Sequence, residues 1–328
     1  MSTVSERMSR LNQKSASSPP AELLAREVRW IMSNGGSQDD NAHSTGGSFS
    51  KALPSLGRRC PSDRNGQPFK VSALESTIMS AKAPYILPPT AVDSSSGRPA
   101  TLIFLHGYDD EAEGLPLGLA QQFQFYQKMP YLKWILPNAD HNHEAMARAW
   151  YLPKALPNAM KPRIPGHEED EEGEPDDEEG IMKSVDIVDK LVEEELKGGT
   201  PPERILVGGF SQGCAVSLVW SLLGRLRHDV AGLVCLSGYL PLKDRIQALQ
   251  QERPAASPEG TDKRRWFYVH GTRDMLVPKR LYLQGKEELS RLVGQDRIEE
   301  HLYEGMGHST NAAELRDLLT FLERVIPA

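Results

Sequence analysis

The stretch ILVGGFSQGCAVSLVW, residues 205–220, decides the fold class of this chain. It begins as a short apolar run, breaks on glycines at both sides of Ser211, and resumes as an apolar run long enough for a helix. A glycine–x–serine–x–glycine pattern between a strand and a helix is typical of a sharp turn that lifts the serine clear of a sheet. The stretch therefore predicts a strand, a tight turn and a helix, with the Ser211 hydroxyl presented at the turn.

Similar short apolar segments recur along the chain, with helical patterns between them. Strands are predicted at 69–74, 83–88, 100–107, 131–137, 204–210, 232–238, 265–271 and 297–303, and helices at 115–127, 181–197, 212–224, 279–292 and 311–325. This alternation predicts an α/β fold with a doubly wound, mostly parallel sheet. Functional sites in such folds lie beyond the carboxyl ends of the strands.

Composition divides the chain into unequal parts. Residues 1–65 are rich in Ser, Gly, Asn and Gln and are predicted to form a disordered, low-complexity tail, whereas 66–328 form the folded domain. Within the tail, 21–32 has helical apolar spacing, and a transit-type or membrane-surface helix remains an alternative to a marginal helix. Ten acidic residues between 168 and 179 predict a disordered acidic insertion over 163–180.

Charge, cysteine content and hydropathy narrow the functional classes. The formal net charge is −7, but without the acidic run the chain is close to neutral, so the sequence predicts no nucleic-acid partner. Three cysteines do not suggest a disulfide framework and favour a reducing compartment. The sequence therefore predicts a cytoplasmic location, with the nucleus as an additional one. No apolar run approaches the roughly 20 residues that span a bilayer. The sequence predicts no membrane span, leaves transient membrane-surface contact open, and makes no prediction of oligomeric state.

A serine at such a turn becomes a nucleophile when a histidine takes its proton and an acid orients the histidine, in the order Ser, Asp, His. Asp274 follows a predicted strand in HGTRD, and His308 lies in the glycine-flanked loop GMGHST. Each has an ordinary alternative, a capping acid for Asp274 and a solvated loop histidine for His308. Because all three lie at ends of predicted strands, the sequence predicts a triad: Ser211 as nucleophile, His308 as general base and acid, and Asp274 as its orienting acid.

Backbone N–H groups are needed to bind the negative oxygen that develops during acyl transfer. We predict that Gln212, which opens the helix, and Tyr108, in the loop after the first parallel strand, supply them. His106 is interpreted as an anchor of that loop. The HNHE segment at 141–144 lacks further ligands at useful spacing, so no metal site is predicted.

The chain from about 100 to 326 resembles the phospholipase/carboxylesterase family of α/β-hydrolases, which includes the acyl-protein thioesterases. The resemblance is carried by FLHG, MARAWY, PPERILVGGFSQGCAVSL, LSGYLP, HGTRDMLVP and GMGHS. It implies an α/β-hydrolase fold without a large cap domain, hydrolysis of long-chain acyl thioesters or oxyesters, and no cofactor. Two departures concern the pocket: the family's usual HGLGD reads HGYDD here, and the usual aromatic–Asp pair after the tryptophan reads Tyr151-Leu152.

The sequence thus predicts a serine hydrolase acting on acylated proteins or lysophospholipids. Two alternatives stay open: a small-molecule carboxylesterase with the same site, and a catalytically silent α/β-hydrolase that serves as a binding module. Apolar residues near strand ends or in loops are the candidates for an acyl pocket, with ordinary core packing as the alternative for each. These candidates are Leu115, Leu117, Trp150, Tyr151, Leu240 and Leu276.

Overall fold

The computed structural model describes residues 82–91, 98–154, 175–258 and 262–328. The predicted tail, the predicted strand 69–74 and residues 163–174 of the predicted acidic insertion lie outside the described residues.

A seven-stranded sheet forms the centre of the described region. Its strands are β1 (Tyr85–Leu87), β2 (Ala100–Leu105), β3 (Leu132–Leu136), β6 (Ile205–Phe210), β7 (Gly232–Leu236), β8 (Arg265–Gly271) and β9 (Ile298–Tyr303). They lie side by side in the order β1-β3-β2-β6-β7-β8-β9. The edge strand β1 runs antiparallel to β3, and the other pairings are parallel. A separate two-stranded hairpin is made by β4 (His141–Asn142) and β5 (Ala147–Arg148).

Helices cover both faces of the sheet. They are α1 (Leu115–Phe125), α2 (Glu178–Lys197), α3 (Gln212–Leu223), α4 (Ile246–Glu252), α5 (Lys279–Val293) and α6 (Ala312–Val325). One core cluster takes side chains from α2, α3, α4 and α5, and a second takes them from α1 and α6. Alternate residues of β2 enter different clusters, Ile103 the first and Phe104 the second, because successive side chains of a strand point to opposite faces.

The predicted α/β-hydrolase fold is confirmed, with a mostly parallel, doubly wound sheet and no large cap domain in the described region. The sequence did not predict α4 or the β4–β5 hairpin, which are too short to carry a clear hydrophobic period. Among the helices that the structure describes, none is long and apolar enough to cross a membrane.

The disordered insertion was predicted to extend to residue 180, and its predicted end is wrong. Residues 175–180 have defined structure, and α2 begins at Glu178 rather than at the predicted residue 181. Asp177 caps this helix by accepting a hydrogen bond from the Gly180 N–H. Asp176 accepts one from the Leu242 N–H at 2.7 Å. These two acids are therefore structural, because each carboxylate binds a specific backbone N–H group.

Candidate active site

Ser211 lies on the turn between β6 and α3 in a strained conformation, with φ 56° and ψ −116°. Its N–H donates to the Leu236 carbonyl at 2.9 Å, which fixes the turn against β7. The flanking glycines are required by close contact: a Cβ on Gly209 would lie 2.4 Å from the Gly213 carbonyl carbon, and one on Gly213 2.4 Å from the Leu105 oxygen. Strand, turn and helix thus approach each other because neither glycine has a side chain.

The three residues of the predicted triad form one hydrogen-bonded chain. The Ser211 hydroxyl lies 2.8 Å from His308 Nε2, and His308 Nδ1 lies 2.7 Å from Asp274 Oδ2. With the imidazole proton on Nδ1, that nitrogen donates to the carboxylate and Nε2 accepts from the serine. Ser211 follows β6, Asp274 follows β8 and His308 follows β9, so the parallel sheet brings their three loops to one edge.

Asp274 is buried but remains suited to the ionised state. Its Oδ1 accepts hydrogen bonds from the N–H groups of Leu276, at 2.9 Å, and Val277, at 2.8 Å. Burial alone raises the pKa of this carboxyl, but the His308 hydrogen bond and charge, with the Val277 N–H, bring the pKa below its ordinary value. The carboxylate can therefore orient His308 and stabilise its imidazolium form.

His270, at the end of β8, supports the Asp274 loop and was not predicted from the sequence. Its Nε2 lies 2.8 Å from the carbonyl of Val277, the residue whose N–H binds Asp274. Its ring stacks on Tyr282 with centroids 5.1 Å apart. Burial lowers the pKa of His270, which favours the neutral imidazole. The motif HGTRD contains this histidine, but its role depends on a contact seven residues away that no local pattern reveals.

The predicted oxyanion donors lie beside the serine. A Cβ on Gly107 would be 3.4 Å from the Ser211 Cβ, so the backbone that leads to Tyr108 passes directly against Ser211. Tyr108 and Gln212 line the same cavity as Ser211. Within the described residues, neither of their backbone N–H groups has an acceptor. Both are available to a negative oxygen near Ser211.

The departure from the HGLGD pattern does not loosen this loop. Asp109 takes the position of the usual second glycine and adopts a left-handed conformation, φ 56°, which Asp tolerates better than most residues. Its N–H donates to the Arg148 carbonyl at 2.9 Å. The neighbouring Tyr108 hydroxyl donates to the Ala145 carbonyl at 2.8 Å. Two adjacent residues thus tie this loop to the β4–β5 hairpin, one at its connecting turn and one at β5.

His106 is held entirely by backbone groups and by one tryptophan. Its Nδ1 lies 2.6 Å from the Gly107 carbonyl, and its Nε2 accepts from the Ala139 N–H at 3.0 Å. The Trp150 indole donates to the His106 carbonyl at 2.9 Å. Burial lowers the pKa of His106, and these contacts are those of a loop anchor.

In the described ranges, the remaining histidine and cysteine side chains do not assemble into a metal site. The rings of His141 and His143 have centroids 5.2 Å apart. Among the residues that the structure describes, no group of three or more His, Cys, Asp and Glu could hold a metal ion. Cys214 and Cys235 are buried free cysteines within the first core cluster.

A cavity of about 400 Å³ opens over Ser211 and His308. Of the predicted pocket residues, Tyr151 and Leu276 line it. The wall also contains residues that the sequence did not single out for the pocket: Gly107, Asp110, Pro153, Phe210, Tyr239 and Val277. This mixture of apolar side chains with few polar groups is typical of a small-ligand site.

Four predicted pocket residues do not line this cavity: Leu115, Leu117, Trp150 and Leu240. The first two pack on α1 against the second core cluster. Trp150 and Leu240 are buried in the first core cluster. Proximity to a strand end was a correct guide to their neighbourhood, but not to the direction of their side chains.

Known proteins of one family are similar to this chain in sequence and in fold. Residues 89–326 match the sequence pattern of the phospholipase/carboxylesterase family. Acyl-protein thioesterase 1 of Yarrowia lipolytica is 32% identical over 247 residues, which cover 73% of this chain and 97% of the relative. Acyl-protein thioesterase 1 of Mycosarcoma maydis is 34% identical, with 70% of this chain and 92% of the relative covered. The crystal structure of acyl-protein thioesterase 2 from Zea mays shares the fold, with a TM-score of 0.53 at 22% identity over 74% of this chain and 98% of the other. With most of its length matched and its serine turn built as the family pattern requires, the chain belongs to the phospholipase/carboxylesterase family.

Proposed function

We propose that this chain hydrolyses long-chain acyl thioesters or oxyesters through an acyl-enzyme on Ser211. The general activity, hydrolysis of carboxylic esters or thioesters, follows from membership of the family and from its acyl-protein thioesterase relatives. The observation that supports an acyl-enzyme on Ser211 is the hydrogen-bonded chain from Ser211 through His308 to Asp274 beside the cavity.

In the first half of the proposed reaction, His308 Nε2 takes the proton of the Ser211 hydroxyl as its oxygen attacks the acyl carbon. The carbonyl oxygen becomes negative and accepts hydrogen bonds from the N–H groups of Tyr108 and Gln212. When the intermediate collapses, the bond to the leaving sulfur or oxygen breaks and His308 returns the proton to it. Asp274 stabilises the imidazolium in between.

In the second half, His308 takes a proton from a water molecule that attacks the acyl-enzyme. The same two N–H groups bind the new oxyanion. The bond to Ser211 then breaks, the serine recovers its proton, and the free acid leaves. No oxidant, metal or cofactor is consumed in this sequence of steps.

The proposed substrates are acylated proteins or lysophospholipids. The apolar side chains around Ser211 suit an acyl chain, and relatives named acyl-protein thioesterases favour a thioester to a protein. A small-molecule carboxylesterase would use the same residues. Contact with a membrane surface and a cytoplasmic location remain predictions from the sequence.

A fluorophosphonate probe tests the nucleophile directly, because it labels only an activated serine. The wild type and the control Ser290→Ala, on α5, should label, whereas Ser211→Ala should not. Ser211→Ala and His308→Ala should also lower kcat toward acyl thioesters by several orders of magnitude. Labelling or near-normal turnover in Ser211→Ala would remove the assignment, and a wild type that neither labels nor turns over esters would favour the silent binding module.

A further inference from the structure

The catalytic cavity has an open end and a closed end. At its mouth, Tyr108 and Leu276 are 41% and 55% exposed. At its inner end, Tyr151 and Tyr239 are only 2% and 8% exposed. An acyl chain gains most by leaving water, whereas a protein or headgroup must stay outside, so the chain extends from Ser211 toward the two tyrosines.

A second cavity of about 370 Å³ lies beyond this closed end. Tyr239 lines both cavities and therefore stands between them. Its wall is mixed: the apolar lining residues are Leu240, Pro241, Leu242 and Leu281, and the charged ones are Asp176, Glu178, Lys243, Asp244 and Arg245. The apolar part, which includes Leu240 next to Tyr239 in the chain, is the part that the end of a longer hydrocarbon chain would contact.

Hydrogen bonds connect Tyr239 to the start of α3, next to the turn that carries Ser211. The Tyr151 hydroxyl donates to the Tyr239 hydroxyl at 2.9 Å. Tyr151 is in turn tied to the first residue of α3, because the Gln212 side chain donates to its carbonyl at 2.7 Å. The same amide accepts from the Trp150 N–H at 2.9 Å. The closed end is therefore braced against the helix that presents the nucleophile.

The loops that carry the two tyrosines are also tied to the end of the acidic run. Asp177 accepts from the Leu152 N–H at 2.8 Å, next to Tyr151 in the chain. Asp176 accepts from the Leu242 N–H at 2.7 Å, three residues after Tyr239. Since adjacent acids bind the two loops, the tyrosines cannot separate without breaking these contacts.

We propose that Tyr239, held by Tyr151 and by the Asp176–Asp177 pair, is the chain-length stop of the acyl site. It limits the chain to the catalytic cavity and closes off the second cavity. The proposal rests on the proposed ester hydrolysis and adds the residue that determines its specificity. Asp176 and Asp177 are positioning residues, because they act through the loops rather than on the substrate.

The test compares kcat/KM for acyl thioesters from butanoyl to hexadecanoyl, all below their critical micelle concentrations. Tyr239→Ala should join the cavities and move the preference toward longer chains. Each further methylene that leaves water raises kcat/KM about fourfold, so two or three methylenes raise the long-to-short ratio roughly 15- to 60-fold. Tyr151→Phe, which removes only the hydroxyl brace, should shift the ratio in the same direction by less.

Tyr131→Phe is the matched control, because this buried hydroxyl donates to the Ile326 carbonyl away from the cavity. Its chain-length profile should equal that of the wild type. Thermal unfolding and butanoyl turnover check that each variant is folded, and if Tyr239→Ala does not fold, Tyr239→Leu decides. A folded Tyr239 variant whose profile parallels the wild type overturns the stop while leaving the proposed function intact. A wild type inactive toward every ester overturns both.

Discussion

Replacing Glu314 by glutamine should make the stability of the fold less dependent on pH. Glu314 lies in the first turn of α6, and its side chain is completely buried. The Asn311 N–H lies near enough to favour the charged form, but among the described residues neither carboxyl oxygen has a hydrogen-bond partner. Burial dominates and raises the pKa of Glu314 to about 8. The carboxyl is therefore protonated in the folded state at neutral pH.

The sign of the effect follows from comparing the folded and unfolded chains. An unfolded glutamate titrates near 4.5, so between 4.5 and about 8 the folded state holds a proton that the unfolded state has lost. Its contribution to stability is complete below 4.5 and is lost as pH rises through about 8. With a maximum slope of about 1.4 kcal/mol per pH unit, the loss between pH 6 and pH 8 is about 2 kcal/mol.

Urea unfolding at pH 6, 7, 8 and 9 measures this loss. The free energy of unfolding of the wild type, minus that of Glu314→Gln, should fall by about 2 kcal/mol from pH 6 to pH 8, because groups common to both proteins cancel. A constant offset is expected, since the buried amide brings donors without partners. Glu323→Gln, an exposed position on the same helix, is the control and should follow the wild type. Parallel curves for wild type and Glu314→Gln would refute the buried, protonated carboxyl.

Two further predictions concern residues around the site. His270→Phe removes the hydrogen bond to the Val277 carbonyl, and the loosened Asp274 loop should lower kcat about 2- to 13-fold with little change in KM, as steady-state kinetics would show; an unchanged kcat contradicts the supporting role. A Gly/Ser linker in place of 168–174 should leave the melting temperature unchanged. A linker in place of 168–179 should lower it by several degrees, because only this longer replacement removes Asp176 and Asp177. Equal melting temperatures for the two linkers would show that these carboxylates do not hold the fold.

The fold and the hydrogen-bonded arrangement of Ser211, His308 and Asp274 could be predicted because the sequence patterns that specify them are local. The turn around Ser211 is specified within five residues, and Asp274 follows a short apolar run that ends in glycine. His308 follows the alternating strand Ile298–Tyr303 and a glycine-containing turn. A parallel sheet then brings such ends to one edge whatever the details of packing. The residues of the candidate site can therefore be predicted once the strands are assigned correctly.

The walls of the cavity could not be predicted in the same way. Leu240 and Tyr239 are neighbours in the chain and both belong to the first core cluster, yet only Tyr239 lines the cavity over Ser211. Which of two adjacent loop residues faces a cavity depends on distant packing partners. The predicted end of the acidic insertion was wrong for a related reason: composition describes an average residue, whereas Asp176 and Asp177 each bind a particular N–H group.

At both positions where the sequence departs from the family pattern, Asp109 and Leu152, a backbone hydrogen bond holds the loop. No large cap covers the cavity in the described part of the chain, so its loops must hold one another. Where the family usually has an acid after the aromatic residue, this chain has Leu152, whose N–H is bound instead by Asp177. Where the family usually has a glycine, Asp109 ties its loop to the hairpin through the Arg148 carbonyl. Both hydrogen bonds use backbone N–H groups and not the substituted side chains, so each loop is fixed to its neighbour whatever side chain stands at these positions. The walls around Tyr239 are therefore held by the backbone, as Ser211, Asp274 and His308 are held by the strands that they follow.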